Sequence, residues 1–130
     1  MNADGYLERV NGITSRIIGA AQHVSSGLGC GFLEKVYENA LRVELRRRGL
    51  QVDQQRPVEV RYRDEVVGHY FADLMVEDTV VVELKATRAI DPVHEAQCMN
   101  YLRASGKPVC LLLNFGRPRM EVRRIVQGLR

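Results

Sequence analysis

The sequence has few cysteines, no long apolar run and no marked excess of either charge. Cys30, Cys98 and Cys110 are too few and too widely spaced for a disulfide framework or a zinc knuckle. An odd thiol count favours a reducing compartment, so a cytoplasmic location is expected, with each cysteine acting as a small buried apolar residue. The longest uninterrupted apolar run, Val109 to Leu113, is far too short to cross a bilayer, and no membrane association is expected. Near the start, Asp4, Glu8 and Arg9 stand without an apolar stretch behind a basic one, which argues against a secretory leader. No repeat, low-complexity tract or Pro/Gly/Ser linker divides the chain. Nineteen basic and sixteen acidic residues leave a net charge of +3, which permits a polyanionic partner without demanding one.

What is present is an ordinary globular composition of 130 residues, 45% hydrophobic and 27% charged. That excludes disorder for most of the chain and predicts one domain over 1–130, burying roughly two-thirds of its unfolded surface. Leu7, Val10, Ile13, Ile17, Ala21 and Val24 recur at helical spacing and predict an amphipathic helix over 6–26. Three glycines within 27–31 should break it. A second helix is predicted from Phe32 to about Arg48, with Leu33, Tyr37, Leu41 and Leu45 on one face and Gly49 as its stop.

After Gly49 the period falls to two. Leu50–Gln55 reads as a short strand, Pro57 as an edge or a break, and Val58–Arg63 as a half-exposed strand. Turns at Asp64-Glu65 and Glu77-Asp78-Thr79 lead into strands over Val66–Val76 and Val80–Ala86. Asp91-Pro92 is a helix start, and Gly106 with Pro108 ends that helix near Ser105. Strands follow at Val109–Phe115 and Glu121–Val126. The α-α-β-β-β-β-α-β-β order implies an α/β layer with a mixed central β-sheet flanked by helices.

The chemistry concentrates in 71–86. On a strand, Glu83 and Lys85 share one face of a segment otherwise apolar enough to be central. Opposite charges there need partners, since their desolvation is costly; a structural ion pair is one explanation. Asp73 supplies another. If the turn at 77–79 contains three residues, Asp73 faces Glu83; a two-residue turn would put it opposite Val82 and on the wrong side. Two facing carboxylates repel unless a cation neutralises them, and their oxygens suit Mg²⁺ or Mn²⁺. Lys85 beside them would hold a water nucleophile or offset phosphoryl charge.

Asp73 followed by Glu83-Leu84-Lys85 after a short hairpin resembles the PD-(D/E)XK nuclease signature. Gly31-Phe32-Leu33-Glu34-Lys35-Val36-Tyr37 resembles the motif of one branch of that superfamily, the GxxExxY protein family. The likeness runs from the first helix through Phe115, with one departure: Ala72 stands where the signature has proline, a position that binds no metal. The resemblance implies a restriction-endonuclease-like core and cleavage of phosphodiester bonds in DNA or RNA. By that resemblance Asp73 and Glu83 are metal-binding carboxylates, Glu34 assists through metal or its water, and Lys85 is the catalytic lysine. Gln97 and Tyr101 resemble the QxxxY element of exonuclease-like branches; spaced by four, they share a helix face with His94, which would reach a phosphate.

Each residue also has a plainer reading. Glu34 alone reads as a surface residue, Tyr37 equally as a core aromatic or a substrate contact, Gln97 and Tyr101 as a bridge from helix to sheet, and His94 as a solvated helix residue. Arg42, Arg46, Arg47 and Arg48 suit a helix C-terminus, and Arg117, Arg119, Arg123 and Arg124 suit a nucleic-acid backbone. Two alternatives to a nuclease stand beside it. One is a silent module of the same fold that binds nucleic acid or a partner protein. The other is a junction resolvase, which requires a homodimer to reach both strands.

Overall fold

The computed structural model describes residues 3–128. Two helices open the chain, α1 (Ala3–Leu28) and α2 (Glu34–Arg47), followed by strands β1 (Val52–Tyr62), β2 (Glu65–Val76) and β3 (Val80–Lys85). Helix α3 (Pro92–Ser105) then leads to β4 (Val109–Asn114) and β5 (Glu121–Val126). The sheet runs β1-β2-β3-β4-β5. All neighbours are antiparallel except β3 and β4, which are parallel across α3, as the return through a helix requires.

Alternation along the strands builds the two faces. Leu74, Val76, Val80, Val82, Leu84, Leu111 and Leu113 pack against Val10, Ile13 and Ile17 of α1 and Tyr37, Leu41 and Leu45 of α2. Met75, Val81, Cys110 and Leu112 pack against Cys98 and Leu102 of α3. Because β3 and β4 are covered on both faces, they read as apolar runs rather than alternating ones. Among the described residues no helix is long and apolar enough to cross a membrane.

Several boundaries differ from expectation. Helix α1 continues to Leu28, one residue past Gly27, and the left-handed Gly29 and Gly31 form the break. The two short strands expected before Asp64 are one, β1. Pro57 sits inside it because β1 lies at the sheet edge, where one side of the strand needs no N–H. The strand turns left-handed at Gln55, with a φ of 54°, and its register to β2 shifts between Val60 and Arg61. The β1–β2 turn is Arg63-Asp64, both at positive φ, the backbone of a tight hairpin. Cys98 and Cys110 are buried as expected, but Cys30 is exposed, since it lies in the glycine-rich loop rather than on a packed face.

Candidate active site

The β2–β3 turn holds three residues, with Val76 opposite Val80 and Leu74 opposite Val82. That parity carries Asp73 and Glu83 to facing positions. There the ladder gives way to side chains. The Asp73 N–H donates to Glu83 Oε1 at 3.2 Å, and the Leu84 N–H donates to Asp73 Oδ2 at 3.0 Å. Each carboxylate thus takes a backbone donor released where the two strands part. Glu83 is buried and Asp73 half-buried.

Burial and the neighbouring Asp73 charge push the Glu83 carboxyl up to about 10. Burial also raises Asp73, against the Leu84 N–H, which favours its charged form. Together they behave as an acid pair that keeps a proton at neutral pH, as two close carboxylates do when no cation separates them. Lys85 lies two residues beyond Glu83 at the end of β3, half-buried, and its ammonium enters no ion pair among the described residues.

Helix α2 brings acids from the other side. Glu34, at its first turn, is exposed. Partial desolvation raises its pKa, Lys85 lowers it, and Asp73 and Glu38 raise it again, so it lies within the field of the site. Glu38, one turn further, is almost fully buried and was not foreseen from sequence. It accepts hydrogen bonds from Lys35 (2.9 Å), Gln54 (2.5 Å) and Gln55 (3.0 and 3.1 Å). Burial acts against its charge, but these donors outweigh it and hold its pKa below the usual range. Gln55, also unforeseen, links the two acids by donating to Asp73 Oδ1 at 3.2 Å. The i,i+4 spacing of Glu34 and Glu38 was the available signal, since it sets both on one helix face.

Helix α3 closes the opposite side. Tyr101 donates to the Phe71 carbonyl at 3.4 Å, and burial, then Glu83 and Asp73, raise its pKa. Gln97 is exposed one turn earlier and shares a small hollow with Tyr70, Asn100 and Tyr101.

Tyr37 and His94 both have internal partners. Tyr37 is fully buried, stacked on Phe115 at 4.9 Å. Its hydroxyl donates to the Gly29 carbonyl at 2.6 Å and accepts the Phe32 N–H at 3.2 Å, so it pins the glycine-rich loop. His94 accepts the Asp91 N–H at 3.1 Å in a capping box that starts α3, which occupies its Nδ1 in structure. The arginine clusters are partly engaged internally as well. Arg46 donates to the Val52 carbonyl, Arg48 pairs with Glu44, and Arg123 pairs with Glu95 and Glu121.

Among the described residues no three His, Cys, Asp or Glu side chains gather closely enough to hold a metal. The donor set that does converge, two carboxylates, fits a hard cation of the Mg²⁺ type, which takes one or two carboxylates and completes its shell with water and substrate oxygens. Glu34 does not join them in a three-ligand group.

A family model of the PD-(D/E)XK nuclease superfamily matches residues 11–125. No curated protein and no solved structure matches the chain. The match spans α1 to β5 and includes both facing carboxylates and the lysine, and the chain belongs to the PD-(D/E)XK nuclease superfamily.

Proposed function

We propose that this protein is a metal-dependent nuclease that hydrolyses phosphodiester bonds in DNA or RNA, and that it belongs to the GxxExxY branch of its superfamily. The observation that carries the reading is the opening between β2 and β3, where Asp73 and Glu83 face one another at the end of the strand that carries Lys85 two residues on. Asp73 and Glu83 hold Mg²⁺ or Mn²⁺, and Glu34 assists through water. The bound cation would polarise phosphoryl oxygens and lower the pKa of water. Lys85 orients the attacking water and offsets negative charge building on the phosphorus-bound oxygens. Gln97 and Tyr101 line the approach from α3. In support of the branch, Glu34 opens α2 toward the site while Tyr37 fixes the loop before it.

The test is cleavage of labelled DNA and RNA with Mg²⁺, Mn²⁺ or a chelator. Wild type should cut only with metal, and Lys85→Ala and Asp73→Asn should each lose at least about 100-fold, equivalent to ~2.7 kcal/mol of barrier. Equal cutting by wild type and variants would mark a contaminant. Mn²⁺ binding that Glu83→Gln abolishes, with no cleavage of either polymer, would favour the silent binding module instead.

A further inference from the structure

Between the outer part of the β1–β2 hairpin and α3 lies a groove of about 710 Å³. Arg56 and Arg61 line it from β1, Arg103 from α3 and Lys107 from the loop that follows, with Tyr70 and Asn100 at one end. Tyr70 and Asn100 also border the smaller hollow that contains Gln97 and Tyr101. Groove and hollow therefore adjoin beside α3, and Tyr101 at the hollow lies within the field of Glu83 and Asp73.

The cations in this groove are weakly committed. Arg56 and Lys107 share one exposed carboxylate, Asp78, at 2.5 and 3.2 Å, and Asp53 lies 3.3 Å from Arg56. Arg61 leans on Glu59 at 2.8 Å. Arg103 pairs with no carboxylate among the described residues. Surface pairs of this kind exchange readily for phosphate, which accepts the fork of an arginine in the same geometry. Tyr70 adds a second element, half-exposed, with its ring 5.3 Å from that of Tyr101. An aromatic face inside a basic groove can stack on a base only if the base is unpaired.

We propose that this groove binds a single-stranded stretch of DNA or RNA. Its phosphates lie on Arg56, Arg61, Arg103 and Lys107, a base stacks on Tyr70, and the strand runs past Gln97 and Tyr101 to the carboxylates. The inference rests on the nuclease reading for what happens at the end of the groove, but not for binding itself.

The experiment is fluorescence anisotropy of the whole chain with a labelled 20-nucleotide DNA strand, its RNA counterpart and the DNA duplex. A chelator is present so that nothing is cut, and salt is varied. Either single strand should bind at least tenfold tighter than duplex, and the DNA and RNA arms tell which sugar is accepted. Affinity should fall with salt, and the combined Arg61→Glu and Arg103→Glu change should weaken binding more than tenfold. It should also flatten the salt slope by about 0.7 for each phosphate no longer neutralised. Tyr70→Ala should erase the preference for single strands. Arg103→Gln, which removes charge without adding any, should weaken binding less, with far-UV circular dichroism unchanged. Duplex bound as tightly as single strand, or groove variants that bind like wild type, would overturn the proposal. If those variants also cleave like wild type, the groove is refuted and the nuclease stands. Single-strand binding as described without any metal-dependent cleavage refutes the nuclease and leaves the groove.

Discussion

Gln55 holds a φ of 54° within an otherwise extended strand, a conformation that costs an L-residue about 1–2 kcal/mol and glycine very little. The strained backbone aims an amide at two acids, Glu38 and Asp73. Both Gln55→Ala and Gln55→Gly should slow cleavage, and both should lose about 1–3 kcal/mol from the buried Glu38 carboxylate left short of a donor. Only glycine relieves the backbone. In urea titrations Gln55→Gly should therefore exceed Gln55→Ala by up to about 1 kcal/mol, and equal stabilities would mean that the strand relaxes once the side chain is gone. Glu83 gives a second contrast. With its carboxyl near 10 in the folded chain, it is neutral at pH 7 without a cation, and Gln has nearly its shape and hydrogen bonds. In chelator, Glu83→Gln should change stability by less than about 1 kcal/mol at pH 7 while abolishing Mn²⁺ binding by calorimetry. The pH dependence has a definite sign. Above about 4.5 the unfolded chain gives up a proton that the folded one keeps, so metal-free wild type loses stability as pH climbs toward 10. Melting temperatures of Glu83→Gln should lack that decline, and a matching slope in both proteins would place the buried proton elsewhere.

At the scale of elements, the β2–β3 hairpin was the most legible part of the chain. A three-residue turn fixes side-chain parity, and parity alone sets Asp73 across from Glu83. Helix α3 was equally clear, because Asp91, Pro92 and Gly106 are chemical signals for a start and a stop. Strand β1 was ambiguous at Pro57, since the same residue breaks a central strand and suits an edge, and which strand is the edge is a property of the whole sheet. Gln55 carries no sequence mark of a left-handed backbone, so the bond it makes to Asp73 was invisible. Tyr37 was ambiguous because its spacing fits both a core and a surface; burial was settled by Phe115, 78 positions away, stacking on it. The exit of β3 shows how such long-range fitting holds the site. Asn114, fully buried, accepts the Thr87 N–H and donates to the Thr87 carbonyl, both at 3.0 Å, clipping the chain just beyond Lys85 to the end of β4. Gly116 completes the clip: a methyl there would lie 2.2 Å from the Thr87 oxygen and 2.3 Å from its nitrogen. Backbone that close cannot turn aside as a side chain would. Gly116→Ala should cost about 3 kcal/mol or more and lower cleavage by the folded fraction, since Lys85 depends on that exit. A melting temperature within a degree of wild type would show that the two segments can part without loss.

The whole molecule is a sheet between two apolar layers, and the candidate site draws side chains from both. Helix α2 presents Glu34 and Glu38 from one side, while α3 presents Gln97 and Tyr101 from the other. Leu41 anchors α2 and Leu102 anchors α3, both fully buried and in separate clusters on opposite faces. Truncating either to alanine should cost about 2–5 kcal/mol through reduced burial and the cavity left behind. Because the sheet stands between them and they share no neighbours, the double variant should lose close to the sum, within about 0.5 kcal/mol, in a single cooperative transition. The functional consequences should differ by face. Leu41→Ala loosens the helix that carries the acids and should lower the cleavage rate of the folded protein. Leu102→Ala loosens the helix beside the groove and should weaken single-strand binding more than it slows the bound substrate. Saturating and subsaturating cleavage rates, measured where each variant is fully folded, separate the two effects. Identical kinetic signatures from both truncations would mean that the sheet transmits each disturbance across its thickness, and that the division of labour between the layers does not exist.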